Sequence, residues 1–324
     1  MVKQLKIVYA FLRLMRFSNL VIIAITQYFL RWFIIKPILA YSGFKAQLSS
    51  LQFAALVLAT VFLAAAGYII NDYFDRKTDL INRPGRVIVG RLIYPRYAMA
   101  AHFIFTMIGL FFGGFLAFNI HRLGLSSVFI LSSVLLWFYS TTYKRQLIVG
   151  NVIISLLVGM VPLLTLMFEF PLLVEKYQLY ILAEGNKFKI LLFWILSYSA
   201  FAFIINLIRE IVKDMEDFEG DYVFGCNSIP ITWGMKTTRL IIANIIVITI
   251  LPICYLLLFH LHDIISFIYI PLFIVFPLII LAIGIFRTDT KEQYHRLSLL
   301  IKMVMLTGLL YCPLVYYIIS TLKK

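Results

Sequence analysis

The sequence is poor in charge, poorer in acids, and short of the residues that build soluble catalytic or metal centres. Charged residues make up 14% of the 324 positions, only fifteen are acidic, and there are three cysteines and five histidines. So little charge on so long a chain excludes a solvated or disordered protein. Cys226, Cys254 and Cys312 are odd in number and far apart, which excludes a disulfide framework and a thiolate metal cluster; they read as packing residues. His102, His121, His260, His262 and His295 fall in apolar runs or in loops away from the acidic segments, so they read as structural or interfacial, and no histidine base is expected. What fills the chain instead is apolar: 62% of residues are hydrophobic, 16% are aromatic, and the mean hydropathy is +0.96.

Apolar runs of about 20 residues, each able to cross a hydrocarbon core about 30 Å thick, recur from end to end. Nine spans are expected, at about 18–38, 50–71, 97–119, 123–142, 147–168, 190–211, 239–259, 264–286 and 299–320. The fold class expected is an all-α membrane protein, a nine-transmembrane-helix bundle with a central cavity, forming a single domain over 1–324. The first apolar stretch, from Asn19, is too long for a signal-peptide core and lacks a small-residue cleavage site, so no cleaved leader is expected. The polar segment at about 170–189, with Glu169, Glu175 and Glu184, is expected to be an outer loop.

Twenty-nine Lys and Arg against fifteen acids give a net charge of +14. In a soluble protein this would suggest nucleic acid; here membrane topology accounts for it, no nucleic-acid partner is expected, and no protein partner is inferable. Lys3, Lys6, Arg13, Arg16, the cluster from Arg76 to Arg96, Lys144, Arg145, Arg209, Lys213, Lys236, Arg239, Arg287, Lys291, Arg296 and Lys302 sort to one side. By the positive-inside rule that side, with the N-terminus, is cytoplasmic. Anionic membrane lipids are the other partner of this charge.

The acids are more telling. Nine of the fifteen occupy two places on that same face: Asp72, Asp75 and Asp79 after the second span, and Glu210, Asp214, Glu216, Asp217, Glu219 and Asp221 after the sixth. Solvated, salt-bridged loops would have this composition too, but spacing argues for more. Asn71, Asp75 and Asp79 are four apart and share one helical face; Asp214, Asp217 and Asp221 follow i, i+3, i+7. Like charges at such spacing repel unless a cation sits on them. All-oxygen clusters suit hard divalent ions, and Mg²⁺ takes one or two carboxylates while leaving positions for water and phosphate. Bases are interleaved: Arg76 and Lys77 in the first segment, Arg83, Arg86 and Arg91 after it, Lys144 and Arg145 between spans four and five, and Arg209 and Lys213 in the second. Guanidinium forks and ammonium groups hold phosphoryl oxygens, so the set suggests a diphosphate cradle.

These residues resemble a known family, the UbiA superfamily of intramembrane prenyltransferases. Asn71-Asp72-x-x-Asp75-x-x-x-Asp79 is similar to its first aspartate-rich motif and Asp217-x-x-x-Asp221 to its second. Arg16-x-x-Asn19, Asn82-Arg83-Pro84, Tyr139-Ser140 with Lys144-Arg145, Gly150-Asn151 and Gly225-x-x-Ser228 also match. The resemblance runs from about residue 13 to 240, with motif segments at about 71–96 and 209–238. It implies a Mg²⁺-dependent enzyme that moves an isoprenoid chain from a diphosphate to an acceptor. It casts Asp72, Asp75, Asp217 and Asp221 as the catalytic metal-holding carboxylates, with Asn71, Asp79 and Asp214 beside them. Arg16, Asn19, Arg76, Arg83, Tyr139, Lys144, Arg145, Asn151, Arg209 and Lys213 fall to the substrate. Aromatic faces such as Phe201, Phe203, Tyr139 and Tyr143 would suit an allylic cation.

The run from Arg209 to Asp221 is similar to the Arg-Glu-x-x-Lys-Asp-x-Glu-Asp-x-Glu-Gly-Asp form of the digeranylgeranylglyceryl phosphate synthase branch and of chlorophyll synthases. The 4-hydroxybenzoate branch has a Tyr-Ala form instead. The expected substrates are therefore a geranylgeranyl-type diphosphate and a lipid-like prenylglyceryl phosphate. An aromatic or chlorophyll-type acceptor is the alternative, and a cation transporter the non-enzymatic one. The chain departs from the family at Val87-Ile88-Val89-Gly90-Arg91, where many members have Pro-x-Pro-Ser-Gly-Arg.

Overall fold

A computed structural model describes residues 2–184 and 186–321. The side chains of Lys3, Arg86 and Glu184, named above, lie outside the described residues. In chain order the helices are α1 (Val2–Leu14), α2 (Phe17–Tyr41), α3 (Ser50–Phe74), α4 (Arg76–Asn82), α5 (Pro95–Asn119), α6 (Leu123–Thr141), α7 (Val149–Glu184), α8 (Asn186–Glu216), α9 (Phe218–Val223), α10 (Ile229–Thr232), α11 (Gly234–Phe259), α12 (Ile264–Arg287) and α13 (Lys291–Thr321). Among the described residues there is no β-strand, only a bridge between Val89 and Ile93, and nine helices are long and apolar enough to cross a membrane: α2, α3, α5 to α8 and α11 to α13. The nine expected spans are all present. Their ends run further, because polar turns at the interface keep backbone bonds that lipid would not replace.

The expected loop at about 170–189 is corrected. Helix α7 continues through Glu184, bending at Tyr177 (φ −117°, ψ 26°), and α8 starts at Asn186. The segment is rich in Leu, Glu, Lys and Gln, good helix formers, and Leu173 is buried while Glu175 and Lys176 face out.

The chain forms two compact units, neither a continuous stretch. The first comprises Met1–Tyr28, Ala46–Lys144 and Leu164–Glu184, the second Phe29–Lys45, Arg145–Leu163 and Gly185–Lys324. In the first, α3 packs against α5 and α6 through small residues, as membrane helices do where apolar burial no longer separates protein from solvent. Gly109 abuts Leu63 and the Ala59 carbonyl, Gly113 abuts the Phe129 ring, and Gly67 abuts Leu136. Gln27 Nε2 donates to Thr60 Oγ1 at 3.1 Å, and Glu169 accepts the Gln47 and Leu48 N–H groups. The Val87-Ile88-Val89 departure has a physical reason. Ile88, Val89 and Ile93 are buried with Ala10 and Leu14 of α1, Ile69 and Ala98, so apolar side chains pin the loop after α4.

In the second unit α8 lies between α11 and α13. Ile205, Ile208 and Val212 of α8 are buried with Ile242, Ile246, Leu278, Leu281, Ile301 and Val304. Gly308 of α13 closes on Phe201, and Gly159 of α7 closes on the Ser199 carbonyl and Phe203. Both units therefore present the last turn of a well-packed helix, α3 in one and α8 in the other, where an acidic motif begins.

Candidate active site

The first motif sits where α3 ends. Asp75 has a turn conformation (φ −78°, ψ −2°), yet i to i+4 backbone bonds run through it: Asp75 N–H to Asn71 at 3.0 Å, Asp79 N–H to Asp75 at 2.8 Å and Arg83 N–H to Asp79 at 2.8 Å. The stripe of Asn71, Asp75 and Asp79 keeps its register across the break. Asp75 Oδ2 accepts from Asn71 Nδ2 at 2.7 Å and from Lys144 Nζ. Arg16 Nη2 donates to Asp72 Oδ1 at 2.9 Å, and its guanidinium lies over the Tyr68 ring at 5.0 Å. Asn19 Nδ2 reaches Tyr68 Oη at 3.4 Å. Arg16 holds φ +51°, a left-handed value uncommon outside glycine, at the break between α1 and α2.

Burial, with the negative charge of Asp75 next, pushes the Asp79 carboxyl up to about 6; Lys144 and Arg83 oppose this only in part. Lys144 is held above the usual ammonium range: burial would lower it, but Asp75 and Tyr139 outweigh that. Of the expected bases in this unit, Arg16 and Lys144 meet the motif directly and Arg83 electrostatically. Arg76 turns back, its Nε donating to the Tyr73 carbonyl and its guanidinium over the Tyr73 ring.

The second motif sits where α8 ends. Asp217 breaks the helix (φ −96°, ψ 9°), and again backbone bonds continue, Asp217 N–H to Lys213 at 2.8 Å and Asp221 N–H to Asp217 at 3.1 Å. Asn151 Nδ2 of α7 donates to Asp214 Oδ2 at 2.7 Å. Beneath it, Asn206 Nδ2 reaches Ser155 Oγ at 3.1 Å and Ser155 Oγ donates to the Asn151 carbonyl, fixing the turn that presents Asn151. Arg209 Nη1 and Lys213 Nζ both reach Glu210, at 2.8 and 2.9 Å. Arg145 contributes its carbonyl, which accepts from Asn227 N–H at 3.0 Å and ties the loop before α7 to the segment after Asp221.

Three participants escape the sequence reading. Tyr68 and Asn206 carry no local signal. Glu210, read as part of the second acidic segment, is the residue that anchors Arg209 and Lys213. His295 is a correction: it was placed away from both motifs, yet its Nδ1 lies 3.1 Å from Glu216 Oε1, because the start of α13 folds back beside the end of α8.

Among the described residues no three His, Cys, Asp or Glu side chains stand gathered as a ready-made metal site. The donors nevertheless fit a hard divalent ion. They are all oxygens at helix ends, and Asn71 Oδ1, the side-chain oxygen beside Asp75, is buried with no hydrogen-bond partner. Asp72 is paired with Arg16 and Asp75 with Lys144.

Nine helices able to cross a membrane among the described residues, with an acidic, base-lined motif closing one helix of each unit, define a polytopic helical membrane protein. The UbiA prenyltransferase family profile matches residues 37–315, and the chain belongs to that family. It is 33% identical over 264 residues to the digeranylgeranylglyceryl phosphate synthase of Methanothermobacter thermautotrophicus, covering 78% of this chain and 82% of that one. Its fold is similar to a solved structure concerned with digeranylgeranylglyceryl phosphate synthase in membranes (TM-score 0.60, 24% identity, 98% and 99% of the two chains). It is also similar to a UbiA homolog from Archaeoglobus fulgidus bound to DMAPP and Mg²⁺ (TM-score 0.53, 17% identity, 92% and 98%). Family membership decides for the enzyme over the transporter: the chain is an integral membrane prenyltransferase.

Proposed function

We propose that this enzyme transfers a geranylgeranyl-type group from its diphosphate to a hydroxyl of a prenylglyceryl phosphate, releasing pyrophosphate. The observation that carries the acceptor is the 33% identity, over most of both chains, to a digeranylgeranylglyceryl phosphate synthase. The run from Arg209 to Asp221 supports it. The bond from the allylic carbon to the diphosphate oxygen breaks, a bond from that carbon to the acceptor oxygen forms, and the acceptor proton leaves with the pyrophosphate.

Asn71, Asp72, Asp75 and Asp79 of the first motif and Asp214, Asp217 and Asp221 of the second would hold Mg²⁺. When bound, the ion neutralises diphosphate charge and favours departure of pyrophosphate. Lys144 and Arg16, which pair with Asp75 and Asp72, would be the cations at hand for phosphate oxygens were those carboxylates to hold the ion. Arg83, Arg76, Arg145, Arg209 and Lys213 add positive field, Asn19 and Asn151 orient the carboxylates and their neighbours, and Tyr139 flanks Lys144. The positive-inside distribution supports placing both motifs at the cytoplasmic surface.

The test is an assay of purified enzyme in lipid with labelled geranylgeranyl diphosphate and either geranylgeranylglyceryl phosphate or phenolic acceptors. Incorporation into the glyceryl phosphate is expected; incorporation only into phenols would overturn the acceptor.

A further inference from the structure

The first unit carries an open polar pocket whose lining includes no residue of the first acidic motif. It is a cavity of about 430 Å³ lined by Gln47 and Gln52 before and within the first turn of α3, by Asn119 to Arg122 at the end of α5, and by Leu172, Glu175 and Lys176 of α7. This falls within the roughly 300–1,000 Å³ of small-molecule sites. Gln52 and Asp72 lie on the same helix twenty positions apart, about 30 Å at 1.5 Å per residue, one hydrocarbon thickness. The pocket therefore belongs to the membrane surface opposite the first acidic motif.

Its lining carries Arg122 and Lys176 against Glu175, with buried Glu169 nearby. Glu175 is bound by Arg122 Nη2 at 3.0 Å, and buried Glu169 nearby is spent on the Gln47 and Leu48 N–H groups. Lys176 faces out, its ammonium 5.8 Å from the Tyr177 ring centroid, at the point where α7 bends.

The turn that shapes the pocket breaks a local rule. Helix α5 ends with Arg122 N–H bonded to the Ala117 carbonyl at 2.9 Å and His121 N–H to Phe118 at 3.0 Å, the helix-closing pattern whose left-handed position favours glycine. His121 occupies it at φ +53°. His121 therefore holds a conformation that glycine would adopt more easily, on the wall of the pocket.

We infer that this pocket binds phosphate, supplied by the headgroup of a membrane lipid in the leaflet opposite the first acidic motif, with Arg122, Lys176 and His121 as its contacts. Arginine and lysine are the side chains that grip phosphate oxygens, and basic pockets between membrane helices take anionic headgroups.

Native mass spectrometry of the purified full-length enzyme, titrated with phosphatidylglycerol, a phosphate-free glycolipid or inorganic phosphate, reads the site without reference to turnover. Phosphatidylglycerol adducts are expected, weakened about fivefold by Lys176→Gln and further by Arg122→Gln together with it, each cation near a surface being worth about that factor. His121→Gly is expected to raise the melting temperature while weakening the adduct, a combination that a purely structural turn would not give. Equal binding by wild type and the double variant, or equal retention of the glycolipid, would overturn the site. Full displacement by millimolar inorganic phosphate would overturn the lipid as its source. Lys176→Gln, which removes no ion pair seen in the structure, keeps the test valid should the double variant unfold.

Discussion

One oxygen of Asp75 accepts from both Asn71 and Lys144, so an ammonium already engages a carboxylate that we propose as a metal ligand. On the proposed function Lys144 would both compete with the ion and serve the phosphate. Lys144→Gln is expected to leave Mg²⁺ binding, measured by calorimetry without substrate, as tight as wild type or tighter, while raising KM for the prenyl diphosphate. Weaker Mg²⁺ binding would contradict the competition. Asp79 gives a pH signature. Its carboxyl is raised from 3.8 to about 6 by burial and by Asp75, so the folded state holds this proton where the unfolded chain has lost it. Stability of the metal-free enzyme should therefore fall as pH rises from about 4 to 6, through the window between those values. Mg²⁺ needs the ionised form, and its affinity should rise over the same window. Asp79→Asn is expected to flatten the stability slope; an unchanged slope assigns it to other groups.

At the scale of the element, α5 is held by close approaches at two glycines. A Cβ on Gly113 would sit 2.4 Å from the Phe129 ring, itself buried against Phe168, whereas a Cβ on its neighbour Gly114 would meet open space. Gly113→Ala is expected to destabilise by about 1–3 kcal/mol through overpacking, and Gly114→Ala to be neutral or stabilising, as helix propensity favours alanine by about 1 kcal/mol. Thermal unfolding of the two variants checks this pair. The nine spans were legible because lipid enforces length and hydropathy, and the acidic motifs because i+3 and i+4 spacing survives the breaks at Asp75 and Asp217. Pairings across the sequence were not legible. Lys144 meets Asp75 and His295 meets Glu216 only because helices fold back on one another, and no local pattern encodes that. The helical course of residues 170–184 was hidden for another reason: polarity suggested a loop, while helix-forming residues and buried Leu173 decided otherwise.

For the whole molecule, the proposed reaction requires that both acidic motifs act on a single diphosphate. Energetic coupling tests this without reference to geometry. A ligand at 100 times its Kd stabilises the folded state by about 2.7 kcal/mol, so Mg²⁺ with a non-hydrolysable geranylgeranyl diphosphate analogue should raise the melting temperature of the wild type. Asp75→Asn and Asp217→Asn keep side-chain volume outside the apolar cores of both units, and although the first removes the charge that Lys144 pairs with, both variants should fold. If each motif bound its own ligand, each variant would lose part of the stabilisation and the double variant the sum. A shared ligand gives a different result. Either substitution alone should abolish nearly all of the shift and all of the turnover, and the double variant should be no worse than either single one. EDTA should reproduce that loss in the wild type, with Mg²⁺ restoring it; additive losses would mean that the two acidic motifs bind separate things.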